Sequence, residues 1–278
     1  MVETAKQGRE LLGDIAAAHP ESGSLAFWWL GQNGFIVKGA GRIIYIDPYL
    51  ANPPGGGRQT PPPLRPDEVT NADLILGTHD HADHVDRDSL PAMLAASPRA
   101  RLVVSRVVAR RLEKDGYPAD RLVGLDDGET REVAGVRVSG IRAAHEFFDR
   151  DVELGYPHLG FVVTLNGVTL FHAGDGVPWE GLRAAVSAYR PDAVFVPING
   201  RDGPRYRANC IGNFTFQEAV DLVGAVRPAL CVPMHYDMFE GNQERVERFV
   251  DYLGAKYPGL AHWVGAVGER ALVRAAAR

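Results

Sequence analysis

A segment rich in histidine and aspartate carries the clearest chemistry in this sequence. Residues 78–84 read Thr-His-Asp-His-Ala-Asp-His, so His79, His81, Asp83 and His84 lie within six positions of one another. The chain has only 9 histidines in 278 residues, so this density indicates metal binding rather than a loop of solvated histidines. A neutral imidazole is the commonest protein ligand for transition metals, and a carboxylate is its harder complement. The cluster can hold one metal ion and contribute to a second.

Three further candidate ligands come just after predicted strands. They are His145, Asp175 and His235. Strands fix the backbone while the loops that follow let side chains converge, so five histidines and two aspartates would form two adjacent metal sites at one edge of the scaffold. Taken singly, each residue has another interpretation: His145 as a hydrogen-bonded strand end, Asp175 as a turn residue and His235 as a packed core histidine.

The order of apolar runs and turn residues predicts the scaffold that positions these side chains. The predicted strands are 25–30, 35–38, 42–46, 73–78, 102–104, 131–133, 136–141, 160–165, 168–171, 193–196, 229–232 and 270–274. The predicted helices are an amphipathic N-terminal segment and residues 86–96, 106–114, 179–188, 216–226 and 243–257. The first three strands predict an antiparallel meander. A Pro/Gly-rich stretch at 48–66 predicts a functional loop or lid.

Two β-rich halves, each with helices outside, predict an α/β (α+β) fold. The expected architecture is a four-layer αββα sandwich that forms a single domain over residues 1–278.

Composition narrows the partners and the compartment. The chain is 45% hydrophobic with a net charge of -5, which predicts no nucleic-acid partner and no anionic membrane surface. Charged residues such as Lys6, Arg9 and Glu10 leave no apolar stretch for a secretory signal near the N-terminus. Two cysteines, Cys210 and Cys231, are too few for a disulfide framework. We expect a cytoplasmic protein, and we keep a homo-oligomer open.

The ligand pattern resembles the metallo-β-lactamase superfamily of metal-dependent hydrolases. The motif from His79 to His84, then His145, the pair Gly174-Asp175 and His235 match its ligand set in order along the whole chain. Further segments look like the L-ascorbate-6-phosphate lactonase group: Trp29-Leu30-Gly31-Gln32, Asp47-Pro48-Tyr49-Leu50, Pro197-Ile198-Asn199-Gly200-Arg201-Asp202, Gly212-Asn213-Phe214 and Pro233-Met234-His235-Tyr236-Asp237-Met238-Phe239.

This resemblance implies one or two divalent metal ions, with manganese favoured and zinc next. His79, His81 and His145 would form the first site, and Asp83, His84 and His235 the second. Asp175 would bridge them. Such a centre activates water as the nucleophile. Asp83 is the candidate catalytic residue, because it can orient the water and pass its proton to the leaving oxygen.

Two expectations concern residues around this centre. Asp47, just after an apolar strand, is either a turn former before Pro48 or an acceptor that orients a ligand histidine. Asn199, Arg201, Arg207 and Asn213 lie on a segment expected to be a loop, and arginine forks suit phosphate or carboxylate. They are candidate substrate-binding residues for a small anionic substrate, although a solvated surface loop is an equal alternative.

Three functional hypotheses follow. The first is a metal-dependent hydrolase that opens a lactone or ester of a small phosphorylated sugar acid. The second is a phosphodiesterase acting on a small cyclic or RNA-derived phosphate. The third, a non-catalytic metal-binding module, is disfavoured because seven intact candidate ligands include the acid that catalysis would use.

Overall fold

Two β-sheets packed face to face form the centre of the molecule. A computed structural model describes residues 3–52 and 57–276 of the chain. The first sheet contains β1 (Ser24–Gly31), β2 (Gly34–Gly39), β3 (Arg42–Ile46), β4 (Leu74–Leu76), β5 (Arg101–Ser105), β6 (Leu122–Leu125) and β13 (Arg270–Arg274). The second contains β7 (Thr130–Val133), β8 (Val136–Arg142), β9 (Leu159–Leu165), β10 (Val168–His172), β11 (Ala193–Pro197) and β12 (Leu230–Met234).

Each sheet combines antiparallel and parallel pairing. The first has the order β13-β1-β2-β3-β4-β5-β6 and is antiparallel from β13 to β3, then parallel to β6. The second has the order β12-β11-β10-β9-β8-β7, parallel from β12 to β10 and antiparallel beyond. Strands β1, β3 and β4 therefore run in one common direction, and β8, β10 and β12 run in another. Their carboxyl ends carry the loops that hold the candidate ligands.

Helices cover the outer faces of both sheets. Their bounds are α1 Gly8–Ala17, α2 Leu90–Ala96, α3 Arg106–Lys114, α4 Leu182–Ala188, α5 Gly203–Arg207, α6 Phe216–Val226 and α7 Val246–Lys256, with single 3₁₀ turns at Pro66–Glu68 and Ala119–Arg121. Among the described residues, no helix combines the length and the hydropathy needed to cross a bilayer.

Alternation along the strands sorts side chains between layers. In β1, Phe27 and Trp29 point into the core shared by the two sheets, whereas Trp28 and Leu30 pack under α1, α2 and α3. Helices α4, α6 and α7 pack on the second sheet with residues such as Val186. Because successive strand residues face opposite sides, a strand buried on both faces reads as the continuous apolar run seen in the sequence.

The predicted four-layer αββα architecture is confirmed, and so are the opening antiparallel meander and most predicted elements. The predicted start of one helix is wrong: the helix expected at 86–96 begins only at Leu90. The Asp86 carboxylate accepts hydrogen bonds from the backbone N–H groups of Leu50 (2.9 Å) and Ala51 (2.8 Å), and Pro91 lies in the first helical turn. Helices α4 and α7 also start about one turn later than predicted.

Two elements escaped sequence analysis. Strand β6 contains a glycine and no clear alternation, so it gave no strand signal. The segment 199–213, expected to be a loop, contains the short helix α5, which Asp202 caps by accepting from the Arg205 N–H at 2.9 Å. Part of the loop predicted at 48–66, residues 53–56, lies outside the described residues.

We expect Phe195→Ala to lower the free energy of unfolding by about 3–5 kcal/mol, the usual cost of removing a buried aromatic ring. Phe195 is 1% exposed, and its ring centroid lies 5.3 Å from that of Phe27 and 4.7 Å from that of Phe35, which joins the two sheets. Urea denaturation measures the change. Leu272→Ala is the control, since Leu272 on edge strand β13 is 56% exposed. Equal effects of the two substitutions would contradict this account of the core.

Candidate metal centre

The structure brings four of the predicted ligands into one group: His79, His81, His145 and Asp175. Each offers a ligand atom within 4.8 Å of the others. His81 Nδ1 lies 2.9 Å from His79 Nε2 and 3.4 Å from His145 Nε2. His79 and His81 come from the loop after β4, and His145 comes from the segment after β8. Two strand ends from different sheets thus meet at this point.

The other three predicted ligands, Asp83, His84 and His235, form a second group under the same 4.8 Å limit. Asp83 Oδ2 lies 3.6 Å from His84 Nε2 and 3.7 Å from His235 Nε2. Asp175 joins the two groups: its Oδ1 lies 3.3 Å from His84 Nε2, and its Oδ2 lies 3.2 Å from His235 Nε2 and 3.8 Å from His145 Nε2.

Burial keeps two imidazoles of the first group, those of His79 and His145, neutral. It lowers the pKa of His79 well below its usual value, and it lowers the pKa of His145 to about 4. The neighbouring His158, whose ring centroid lies 5.2 Å from that of His79, also has a pKa lowered by burial. A neutral imidazole keeps a lone pair on its unprotonated nitrogen, which is the state that binds a metal.

In the second group, attraction between the histidine rings and the nearby carboxylates, including Asp175, sets the pKa values. Burial alone would raise the pKa of Asp175, but the His235 and His84 rings hold it well below its usual range. In the same way, burial opposes charge on His84, yet the surrounding carboxylates, Asp175 first, raise the pKa of that ring well above its usual value. The carboxylates of the centre are therefore ionised, as metal ligation requires.

The donor set fits a divalent metal. His84 Nε2 is buried and has no hydrogen-bond partner in the described part of the chain, although two carboxylates lie within 3.6 Å of it. In the first group the pair His79 Nε2 and His81 Nδ1, both lone-pair donors when deprotonated, face each other at 2.9 Å. Nitrogen and oxygen atoms without thiolate suit zinc, manganese or iron.

Asp47 orients the second group from behind. This buried residue at the end of β3 accepts hydrogen bonds from the Thr78 N–H (2.8 Å), the Thr78 hydroxyl (2.7 Å) and the His84 Nδ1–H (2.7 Å). This hydrogen bond from Nδ1 to Asp47 holds the His84 ring so that Nε2 faces Asp175. Of the two interpretations left open by the sequence, the geometry matches the acceptor that fixes a histidine ring.

Sequence analysis did not place two amides, Gln32 and Asn33, in the centre, although Gln32 ends one of the lactonase-like segments. The Gln32 side-chain NH₂ donates to Asp83 Oδ2 at 2.9 Å and lies 3.1 Å from His235 Nε2, and the Asn33 NH₂ donates to Asp175 Oδ1 at 2.8 Å. The available signal was two amide side chains between glycines, directly after a buried strand. Both amides constrain carboxylates of the centre.

His172 and Gly174 support the backbone that presents Asp175. His172 Nε2 lies 2.9 Å from the Asn33 carbonyl oxygen, and the Gly174 N–H donates to His172 Nδ1 at 3.2 Å. Gly174 has a φ of +62°, and a Cβ there would lie 2.8 Å from the Thr78 Cβ. Glycine is required at this position by both conformation and space.

The predicted substrate-binding residues lie apart from the ligands. Asn199 and Asn213 are fully buried, and the Asn213 NH₂ donates to Asn199 Oδ1 at 3.1 Å. Arg201 donates two hydrogen bonds to the Glu218 carboxylate, at 2.6 and 2.7 Å, and lines a different cavity. Arg207 is exposed on α5. None of these four side chains lines the cavity that opens onto the metal-ligand groups.

That cavity has a volume of about 550 Å³. His81, Asp83, His145, Asp175 and His235 lie at its floor. Its walls come from the segment after β3, from residues 208–211 and from residues 239–242. A small substrate can therefore reach both ligand groups at once, and Asp83 lies beside it.

Comparison with known proteins identifies the class. A family model described as a β-lactamase superfamily domain matches residues 42–236, more than half of the chain, so the chain belongs to the metallo-β-lactamase superfamily. A relative from Methanoculleus marisnigri, named UPF0173 metal-dependent hydrolase, is 30% identical over 226 residues, covering 80% of this chain and 85% of the relative. The chain is thus a metal-dependent hydrolase of the UPF0173 family. The predicted superfamily is confirmed, whereas the likeness to the lactonases stays a prediction.

Solved structures agree on the fold. Igni18, described as a metallo hydrolase from Ignicoccus hospitalis, superposes with a TM-score of 0.70 at 23% identity, covering 90% of this chain and 98% of that one. An isothiocyanate hydrolase from Delia radicum gut bacteria gives a TM-score of 0.71 at 17% identity, with 90% and 99% coverage. At sequence identities of 23% and 17%, these superpositions establish that the proteins share a fold.

We expect Asp47→Ala to weaken metal affinity by about 10- to 100-fold, because the His84 ring loses the acceptor that orients it. Competition with a chromophoric chelator measures the affinity. Asp67→Ala is the matched control, since the Asp67 carboxylate is exposed and pairs with Arg65 at 2.8 Å. Unchanged affinity in the Asp47 variant would show that the loop holds His84 without this carboxylate.

Proposed function

We propose that this hydrolase opens the carbonyl–oxygen bond of a small ester or lactone. Water adds to the carbonyl carbon, the bond to the leaving oxygen breaks, and the water proton goes to that oxygen. One observation supports this proposal most. Asp175 lies between the two ligand groups, and side chains of both groups, including Asp83, line a single cavity. The motifs that resemble lactonases supply Gln32 and His235, which contact each other beside Asp175, and Asp47, which holds the His84 ring from behind.

The donor set fits two divalent ions: His79, His81 and His145 would hold one, and Asp83, His84 and His235 would hold the other. Asp175 lies between the two ligand groups. When bound, such ions polarise the scissile carbonyl and lower the pKa of water towards neutrality. Manganese or zinc is our expectation. The phosphorylated sugar acid and the alternative phosphodiester both remain predictions, and a screen that includes bis(p-nitrophenyl) phosphate separates them.

Asp83 is the residue we assign to proton transfer. Its side chain is only partly buried, with 20% exposure, and it lines the cavity. The Gln32 NH₂ donates to its Oδ2, which fixes the carboxylate towards the substrate. The nearby His84 and His235 rings outweigh burial and lower the pKa of Asp83 below its usual value, so the carboxylate starts ionised and can accept the water proton.

Two further expectations complete the proposal. Both cysteines are free thiols in the structure, in keeping with a reducing cytoplasm. The partner is a small molecule, since the cavity of about 550 Å³ matches a small ligand better than a polymer.

We expect between one and two divalent ions per chain, and chelation should abolish hydrolysis until metal is restored. His81→Ala and Asp175→Ala should each remove activity, since losing a ligand removes Lewis acid and activated water together. Metal analysis and ester hydrolysis are measured on the same samples. His19→Ala controls for loss of a histidine at an exposed position. Absence of metal after gentle purification, or full activity in metal-free protein, would refute the assignment.

Asp83→Asn should retain most of the metal and lower kcat by roughly 10²- to 10⁴-fold, the range typical of a lost general acid or base. The remaining ligands hold the ions, while the amide cannot take a proton. Asp80→Asn is the matched control in the same loop, because Asp80 pairs with Arg87 and Arg111 instead. Near wild-type turnover with full metal in the Asp83 variant would make that carboxylate a spectator.

A further inference from the structure

We propose that the substrate part lying beyond the scissile bond is uncharged and largely apolar. The inference rests on the proposed ester or lactone hydrolysis and adds the class of substrate. It departs from the phosphorylated substrate expected from the arginine-rich segment 199–213. The reason lies in the side chains that form the cavity wall.

The wall above the ligand groups is neutral or apolar. Tyr49, Phe239, Ile211 and Ala208 line it with carbon atoms, beside the uncharged amides of Asn209 and Asn242. Among the residues described, neither a lysine nor an arginine lines this cavity. Apart from the candidate ligands, the charged side chain on the wall is that of Glu240, which is exposed. An anionic group bound against this wall, away from the ligand groups, would meet that carboxylate and no cationic side chain.

Two nearby arginines are held by other residues. Arg201 is held by Glu218, and Arg205 pairs with Asp202 and donates to the Gln243 carbonyl at 2.6 Å. These contacts explain why the guanidinium groups of Arg201 and Arg205 are not presented to the cavity.

Arg58 lies behind the wall rather than on it. Its guanidinium stands 4.9 Å from the centre of the Tyr49 ring, and it donates to the Tyr49 carbonyl at 2.7 Å and the Thr60 carbonyl at 2.6 Å. Its remaining nitrogen, Nη2, is buried, so a bound molecule cannot touch it. Arg58 fixes the position of Tyr49 and leaves the cavity surface uncharged.

A second cavity of about 560 Å³ adjoins the first and shares Cys210 and Ile211 with it. Three charged side chains line this second cavity, the basic Arg201 and the acidic Asp202 and Glu146. A substrate long enough to pass Ile211 would therefore meet more acidic than basic side chains, and the one arginine is already paired with Glu218. Anion selectivity does not arise there either.

Burial of apolar substrate atoms against such a wall is favourable, whereas an anion placed there would lose water without gaining a cationic side chain as its partner.

The test uses two esters with the same leaving group and a four-carbon acyl chain, p-nitrophenyl butyrate and mono-p-nitrophenyl succinate. The second ends in a carboxylate. We expect kcat/KM of the metal-loaded enzyme to favour the butyrate by about 10- to 100-fold, the discrimination typical of one unpaired polar group. A pair of lactones, gluconolactone and its 6-phosphate, repeats the comparison.

Variants of the wall sharpen the test. Ile211 lies between the two cavities and lines both. Ile211→Arg places a cation there and should shift the butyrate-to-succinate ratio of kcat/KM towards succinate by about tenfold. Ile211→Gln introduces an uncharged side chain and should not shift this ratio. Arg201→Ala should leave the ratio unchanged.

Each outcome decides a different claim. Equal or higher kcat/KM for the anionic member of each pair, or a ratio that depends on Arg201, overturns the neutral substrate while leaving ester hydrolysis intact. Hydrolysis of none of the four compounds by fully metal-loaded protein overturns the proposed function and the substrate class together. Preference for the neutral members with the Ile211→Arg shift supports both.

Discussion

The Asp47 carboxylate is the interaction on which the candidate centre depends. It is fully buried, and its three hydrogen bonds tie the end of β3 to Thr78 and His84 in the loop after β4. Its own N–H donates to the Leu76 carbonyl at 2.8 Å, so the backbone is fixed as well. A buried carboxylate is tolerated only when its oxygens accept hydrogen bonds. Because these bonds come from the ligand loop, the same contacts stabilise the fold and orient that loop.

Backbone strain is present at three strand ends around the same point. Gln32, Asp47 and His235 have φ values of 54°, 45° and 58°, in the left-handed region that non-glycine residues seldom adopt. Each such residue costs on the order of 1–3 kcal/mol, which the packed sheets on either side must offset. In return, the chain turns sharply at three strand ends and directs three side chains at one place. We infer that the strained backbone at these three residues serves to hold their side chains in fixed positions at the centre.

The sequence predicted what depends on local pattern and on spacing. Short apolar runs bounded by turn residues identified the strands, and the order of the seven candidate ligands indicated which loops had to converge. It could not show contacts between distant positions, such as Gln32 with His235, 203 residues apart, or Asn33 with Asp175, 142 apart. Nor could it show that Arg201 binds Glu218, because an arginine fork fits an internal carboxylate as well as a substrate anion.

Metal chemistry and substrate choice have separate structural origins in this chain. The ligands sit at strand ends, whereas much of the cavity wall belongs to residues 208–211 and 239–242. A line of amides connects them: the Gly176 N–H donates to Asn213, the Asn213 NH₂ to Asn199, and the Asn199 NH₂ to Asn242, at 2.9, 3.1 and 2.8 Å. Asn199 and Asn213 thus hold the wall against the Asp175 loop without touching the cavity. A wall attached in this way can change its exposed side chains, and so its substrate, while the metal ligands stay in place.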